Sequence, residues 1–520
     1  MLGSETTSAA PLIAFMLVVV LSILLALMFG ANADGLDEVY VAGRSLGPWR
    51  NSLALTGDSV SVLTLLTTTG AISVAGYDGM TLAGSAVCAL GILLVFARPL
   101  NETGRYTLGG TLSAKFPYRS VRIAAVVATL CFCVPMAMVQ LMAAGGATAA
   151  LVDLSSSGGV RLCTALIGMM MICASVFGGM RGNTILQLVK TVFLLAFIVV
   201  LTGLLMHEMN WDFGRLTDQA ALRSEDPDGF YLPGGLAVTS AGSVDVLSSQ
   251  LTVLVGSAIA PHVIMRVKTS ATGGAAQRSV LRALAFFGLF TLVTVVLGLG
   301  AAALVSNPSS RYADPSGGTS LLRLVDHLGV ESGGGLLQAA FVSVVFLTSM
   351  TVVTALTFSC GVTLAHDLYT HVRMRGDADP VTEFRVMRGV TPAVGLLMVF
   401  LAVVLQNWRV EFLAQFAVAV AAASILPALT YALFWSGATR LSVLWSVYGG
   451  LGCAVLLQVF GPTVSGAPSA LFPEVDFSWF PLTTSGLVSI PVGFLCGWIG
   501  GRIGRQRTAA ALRTPVRAKS

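Results

Sequence analysis

Apolar runs of roughly twenty residues, long enough to cross a hydrocarbon layer as a helix, recur along almost the whole chain. They lie near residues 9–30, 51–77, 80–98, 122–152, 162–180, 184–206, 244–265, 281–305, 334–365, 389–406, 411–436, 441–461 and 484–501. The pattern predicts an all-α polytopic membrane protein with about thirteen transmembrane helices. The first run has no Lys or Arg before it and is longer than a signal-peptide core. It reads as a true span with its N-terminus outside.

Polar residues inside these runs are few, so those present carry the information. The second run, LALTGDSVSVLTLLTTTGAISVAGYDG from Leu53 to Gly79, holds Asp58 and then Thr64, Thr67, Thr68, Thr69 and Gly70. A carboxylate at membrane depth normally faces a protein interior or a cavity, although one near a span end also reaches the interface by snorkelling. A run of β-branched Thr followed by Gly is a poor helix interior, and unwound backbone in a membrane is tolerated where it lines a protein-covered cavity. The expectation is an interruption around Thr67 to Gly70. Its freed N–H groups would meet an anion and its carbonyls a cation. Each threonine read singly serves equally well by bonding back to its own helix.

Two further stretches break the apolar pattern. In FLTSMTVVTALTFSCGVTLAHDLY, Phe346 to Tyr369, Thr348, Thr351 and Thr354 recur at helical spacing. That stripe is either a set of hard oxygen ligands or helix-packing glue. In GSAIAPHVIMRVKT, Gly256 to Thr269, Pro261 invites a break or kink and His262 beside it is ionisable. Gly256 and Ser257 lie just before that break and are candidates for the substrate side. Arg266 marks a gate or, equally, an interfacial anchor. Interrupted spans at corresponding places in two halves of a chain point to a secondary-transporter site. Gln140, alone in its apolar span, either lines the pocket or bonds a neighbouring helix.

Composition agrees with the membrane reading and adds the orientation. The 520 residues are 55% hydrophobic and 11% charged, against about 25% charged in soluble domains. With the N-terminus outside, 23 of the 30 Lys and Arg fall on inner loops and the tail, densest at 98–122, 266–282, 373–388 and 502–519. Six (Arg161, Arg215, Arg223, Arg311, Arg323, Arg409) fall on outer loops, so the positive-inside rule sets a cytoplasmic C-terminus in the cell membrane. The eight cysteines have no CxxC or Cys/His spacing and read as small buried hydrophobes. The chain has no HExxH, GxSxG, Walker A or TVGYG motif and no Arg-rich voltage-sensor helix, which argues against an enzyme, an ATP-driven pump or a selective channel.

These stretches, in this order, resemble the sodium:solute symporter family. The resemblance covers about residues 35 to 440 and rests on YVAGRSLGPWRNSLALTGDSVS (Tyr40–Ser61), FGGMRGNTILQLVK (Phe177–Lys190), APHVIMR (Ala260–Arg266) and AHDLY (Ala365–Tyr369). TGDS, GYDG (Gly76–Gly79), GRYT (Gly104–Thr107), GGMRG and PHVIMR are most similar to its acetate and monocarboxylate permease branch. The resemblance implies a LeuT-type core of two inverted five-helix repeats with broken first helices. It divides the chain into an extra helix and loop (1–50), a first repeat (51–206), an extracellular loop (207–243), a second repeat (244–436), extra C-terminal helices (437–501) and a basic tail (502–520).

The resemblance also implies a cation site. Counting back from the HDLY end, its eighth-helix positions fall on Thr348, Thr351 and Val352, with Thr56 and Ser59 opposite. Asp58 matches the carboxylate that supports sodium binding in the proline branch. Val352 stands where many members carry Ser or Thr. The coupling ion is therefore open between Na+, the first choice, and H+ taken up on Asp58 or another group. Substrate would sit among Thr67, Thr68, Thr69, Gly70, Gln140, Gly256 and Ser257. The implied function is cation-coupled uptake of a small monocarboxylate such as acetate, propionate or pyruvate, by alternating access. The alternatives are a symporter of another small solute, an amino acid or sugar, and a transporter-like sensor or facilitator. No cofactor, no resident metal beyond the coupling cation and no nucleic acid are implied; the partners are the small carboxylate and membrane lipids.

Overall fold

The computed structural model describes residues 9–30, 35–154, 156–236, 241–305, 318–332, 335–466 and 470–513. Arg311, the residues at 31–33 and the last part of the tail, 514–520, lie outside the described residues. Among those described, the elements are helices, with two isolated β-bridges besides. In chain order the principal helices are α1 (Ala9–Gly30), α2 (Leu36–Val41), α3 (Pro48–Ser59), α4 (Val62–Glu102), α5 (Leu108–Lys115), α6 (Arg119–Leu151), α7 (Ser157–Glu208), α8 (Phe213–Leu222) and α9 (Ser243–Gly256). There follow α10 (Pro261–Val267), α11 (Gly273–Val305), α12 (Ser320–Ser332), α13 (Gly335–Val362), α14 (Pro380–Val404), α15 (Val410–Val420), α16 (Leu426–Phe434), α17 (Arg440–Val459) and α18 (Gly486–Arg513).

Among the described residues, ten helices are long and apolar enough to cross a membrane, eleven with the bent pair Ser243–Ile259 and Pro261–Val267 taken as one span. The expected thirteen is reached only when two of them are divided at their kinks. One is α4 at Ala75 and Gly76, whose first half then continues α3; the other is α7 at Gly179. Gly179 has φ 51°, a left-handed conformation that glycine adopts without a Cβ penalty. At Gly76 a Cβ would fall 2.4 Å from the Phe230 carbonyl, and the same carbonyl accepts from the Tyr77 N–H at 3.1 Å. Asp78 of the GYDG motif accepts from the Gly234 and Leu236 N–H groups, each at 3.0 Å, and so pins the long loop after α8 onto the kink.

Burial separates scaffold from periphery. The most apolar window of the α13 span is 94% buried and that of α15–α16 83%, whereas that of α1 is 22% buried. The α1 helix packs on α7 and α13 from outside. An all-round apolar helix with so little protein around it needs an apolar solvent. The expectation that every cysteine is buried fails at Cys88 and Cys173, which are exposed free thiols, and at Cys131, Cys453 and Cys496, which are half-buried. Membership of an apolar run does not imply burial in protein when the outer face of a span meets lipid instead.

One end of the assembly is stitched shut around the broken spans. The Lys268 ammonium donates to the Leu100 and Thr103 carbonyls at 2.7 and 2.6 Å, a cation on the open carbonyls of a helix C-terminus. Asn101 donates to the Val267 and Ser270 carbonyls, and Asn51 donates to the Ser270 hydroxyl at 2.8 Å. The start of α3 and the ends of α4 and α10 are thereby joined at the end that carries the basic loops.

Candidate substrate and cation site

Both interruptions expected from the sequence are present, and one is shifted. The first lies at Val60 and Ser61, which are extended (ψ 101° and 167°), not at Thr67 to Gly70, which are helical. The reason is local chemistry. Ser61 is an N-cap whose Oγ accepts from the Thr64 N–H at 3.0 Å, and the Thr64 hydroxyl faces the Ser61 N–H in return, so the chain restarts a helix there. Thr69 meanwhile donates back to the Leu65 carbonyl at 2.8 Å, which keeps its turn helical. The second interruption lies where expected. A single turn over Ser257–Ile259 leads to an extended Ala260 (ψ 139°), and Pro261 opens α10 with the two halves bent by 43°.

The first break frees main-chain oxygens, and a side chain from α7 fills them. The Lys190 ammonium donates to the Gly57 and Val60 carbonyls, each at 2.5 Å. It is 1% exposed. Three residues back on α7, Gln187 donates to Asp58 Oδ1 at 2.5 Å. Gly57 has no Cβ because one would fall 2.5 Å from Gln187 Oε1 and 2.8 Å from the Thr191 hydroxyl. On the far side of the break, Gln140 Oε1 on α6 accepts from the Val62 N–H at 3.3 Å.

Asp58 is held from a second direction by Arg266 of α10, whose Nε donates to Oδ2 at 2.7 Å. The guanidinium goes on to donate to the Thr184 hydroxyl at 2.6 Å. With the Asn183 amide turned to satisfy both neighbours, its oxygen accepts from Arg266 at 2.9 Å and its nitrogen donates to the Thr351 carbonyl at 3.3 Å. One polar knot therefore joins α3, α7, α10 and α13. Buried charges persist only when paired and hydrogen-bonded, and these are. The side chains are unequal in number, however: two basic groups, Lys190 and Arg266, meet the one carboxylate of Asp58.

Beside the knot lies a cavity of about 160 Å³, room for a small organic molecule rather than one water. Its polar wall includes Asp58, Ser59, Ser61, Thr64, Thr67 and Thr68, and Ser257 and His262 from the second break. Phe132, Met136, Phe287 and Val352 supply apolar wall. The His262 ring stacks on Phe132 with centroids 6.0 Å apart, and its Nδ1 is buried with no hydrogen-bond partner.

The residues expected to hold a cation lie on α3 and α13, with the Thr56 main-chain oxygen accepting from the Val60 N–H at 3.0 Å. The Thr56 and Ser59 hydroxyls donate to the Ser52 and Leu55 carbonyls at 2.9 Å. Thr351 donates to the Thr348 carbonyl at 3.0 Å, while the buried Thr348 hydroxyl has no partner. Of the expected substrate residues, Thr67, Thr68 and Ser257 reach the cavity wall, whereas Thr69, Gly70, Gln140 and Gly256 do not. Gly256 serves close packing instead, since a Cβ there would lie 2.1 Å from the Val418 carbonyl. Arg266 is no interfacial anchor: its side chain is 1% exposed.

Sequence reasoning missed Asn183, Thr184, Gln187 and Lys190. A signal was available, since Thr184, Gln187 and Lys190 recur at i, i+3 and i+6 on one face, and an intramembrane lysine is a functional hypothesis by default. The AHDLY segment follows α13. It lies in a wide-turn π-helical continuation of α13, Thr363–Arg373. There Asp367 pairs with Arg122 at 2.5 Å and His366 with Glu383 at 2.9 Å.

The model of the sodium:solute symporter family matches residues 39–450. A monocarboxylic acid transporter of Corynebacterium glutamicum is 32% identical over 97% of this chain and 93% of that protein. The uncharacterized symporter YwcA of Bacillus subtilis is 30% identical over 95% of this chain and 94% of its own length. Among solved structures, a Na+-coupled sialic acid symporter in a substrate-bound outward-open state superposes with a TM-score of 0.71 at 12% identity, covering 95% of this chain and 97% of that one. The nucleobase-cation symporter Mhp1 in a closed conformation gives 0.53 at 12% identity, over 92% and 96%. The shared fold is the LeuT type.

Proposed function

This chain belongs to the sodium:solute symporter family, and from that premise we propose that it takes up a small monocarboxylate such as acetate, propionate or pyruvate, coupled to a cation. The observation that carries this reading is the cavity between the two broken spans, walled by Thr67, Thr68, Ser257 and His262 beside a knot that sets two basic side chains, Lys190 and Arg266, against the one carboxylate of Asp58. A small anion is the solute that such a cluster favours. The full-length similarity to a protein named a monocarboxylic acid transporter supports the same class.

In this reading the acid lies against Thr67, Thr68, Ser257 and His262, and access alternates by rocking of the helix bundle that contains both breaks. The basic-loop end is cytoplasmic and the N-terminus outside, in the cell membrane. The membrane potential adds about 2.3 kcal/mol per charge per 100 mV to the drive. Na+ is the coupling ion that the family implies. H+ is the second reading, favoured by the position of Lys190 on the carbonyls of the break.

The test is uptake of labelled acetate into proteoliposomes with an imposed cation gradient, in competition with propionate, pyruvate, lactate, proline and glucose. Saturable, gradient-driven uptake blocked by short monocarboxylates alone is expected. Block by proline or glucose, or uptake that never exceeds equilibration, would overturn it.

A further inference from the structure

The knot around the first break presents the site with a cation of its own. A freed pair of main-chain carbonyls at an interrupted helix is a cation site by its chemistry, and the Gly57 and Val60 pair is filled by the Lys190 ammonium at 2.5 Å to each oxygen. The Thr56 and Ser59 main-chain oxygens are already engaged, by the Val60 N–H at 3.0 Å and the Thr64 hydroxyl at 3.4 Å. Thr56, Ser59 and Thr351 donate to carbonyls of their own helices, and Thr348 is left without a partner. The one carboxylate at the break, Asp58, is engaged on both oxygens, by Arg266 and by Gln187.

We propose that Lys190 is a tethered cation that stands in place of bound sodium at the first break, so that transport does not require Na+ at this site. An ammonium on a side chain anchored in α7 makes the same ion–dipole contacts to the Gly57 and Val60 carbonyls that a monovalent metal ion would make. It steadies the break as a bound ion would, without diffusing away. The charged group that acts on it is Asp58 on α3, which also binds Arg266 of α10. A sodium ion on the Gly57 and Val60 carbonyls would need the position that the Lys190 nitrogen already holds, 2.5 Å from each oxygen. Ammonium and sodium are therefore mutually exclusive occupants. The inference rests on the transport reading above for its consequence, but not for its test.

The test compares the wild-type chain, Lys190→Met and Lys190→Arg, purified in detergent and heated in NaCl or in choline chloride at equal ionic strength and pH. Binding to the folded state alone raises the unfolding midpoint. The midpoint should be the same in both salts for the wild type and for Lys190→Arg, which keeps the charge. Lys190→Met, freed of it, should unfold at a lower temperature in choline and recover in NaCl. In proteoliposomes, replacing Na+ by choline should change wild-type acetate uptake by less than about twofold. The same replacement should lower that of Lys190→Met by about tenfold, equivalent to ~1.4 kcal/mol of cation-dependent stabilisation. Sodium-dependent stabilisation of the wild type would overturn the inference, as would a Lys190→Met protein that ignores Na+. Lys190→Ala replaces Lys190→Met if the latter does not accumulate. Failure of all three proteins to take up monocarboxylates, with the salt response as expected, would overturn the proposed substrate and leave the tethered cation standing.

Discussion

Asp58 and Arg266 lie 2.7 Å apart with both side chains 1% exposed, one on the first broken span and the other on the second. Their contact joins the last turn before one break to the short helix after the other. Neither charge reaches water, so each depends on its partner and on the amides and hydroxyls around it. The pair thus makes the geometry of the two breaks a single unit.

Removing one member strands the other. Asp58→Asn or Arg266→Gln alone should each cost about 3–5 kcal/mol of stability, with acetate uptake lost. The double variant should cost markedly less than the sum of the two. Unfolding midpoints across the four proteins of the cycle measure the coupling directly. Additive losses would mean that the pair contributes nothing as a pair.

The restart of the helix at Ser61 offers a smaller perturbation. Ser61→Ala removes the oxygen that accepts from the Thr64 N–H, which should cost about 1 kcal/mol. The same change at Ser59, whose hydroxyl only bonds back to the Leu55 carbonyl, should be milder. Thermal unfolding of both variants in the same detergent checks the order.

His262 combines a ring stacked on Phe132 with a buried nitrogen that lacks a partner at the cavity wall. His262→Phe retains the stack and deletes the nitrogen. If that nitrogen meets the substrate carboxylate, KM for acetate should rise by about tenfold, as expected when a hydrogen bond to a charged group is lost, with maximal uptake changed far less. An equal fall in maximal uptake at constant KM would assign His262 to the conformational step instead.

At the basic-loop end, burial pushes the Asp37 carboxyl up, but hydrogen bonds from Tyr106 and Arg105 and the Arg105 charge outweigh it and hold the group below its ordinary value. A carboxyl depressed in the folded state adds stability above its unfolded value and loses it as pH falls through the folded value. The wild type should therefore lose stability below about pH 4, where free aspartates protonate. Asp37→Asn should start lower near neutrality and show a flatter acid limb. Parallel acid limbs would remove Asp37 from the account.

The apolar pattern by itself determined the all-helical membrane fold, because continuous runs of about twenty residues cross lipid as helices that pair their backbone internally, whereas barrel strands span it in about ten residues of alternating polarity. It also located the second break, since Pro261 removes a donor at a fixed position. The first break was legible only to within about two turns. Threonine content does not distinguish hydroxyls bonded back to the helix, as at Thr69, from a true interruption, and the deciding residue was the N-cap Ser61. The partners at the break were decided by tertiary structure alone. Lys190 and Gly57 lie 133 positions apart in the chain, and Arg266 and Asp58 lie 208 apart. A charge buried in lipid takes whatever partner the packing of helices brings within reach, and linear order carries no record of that choice.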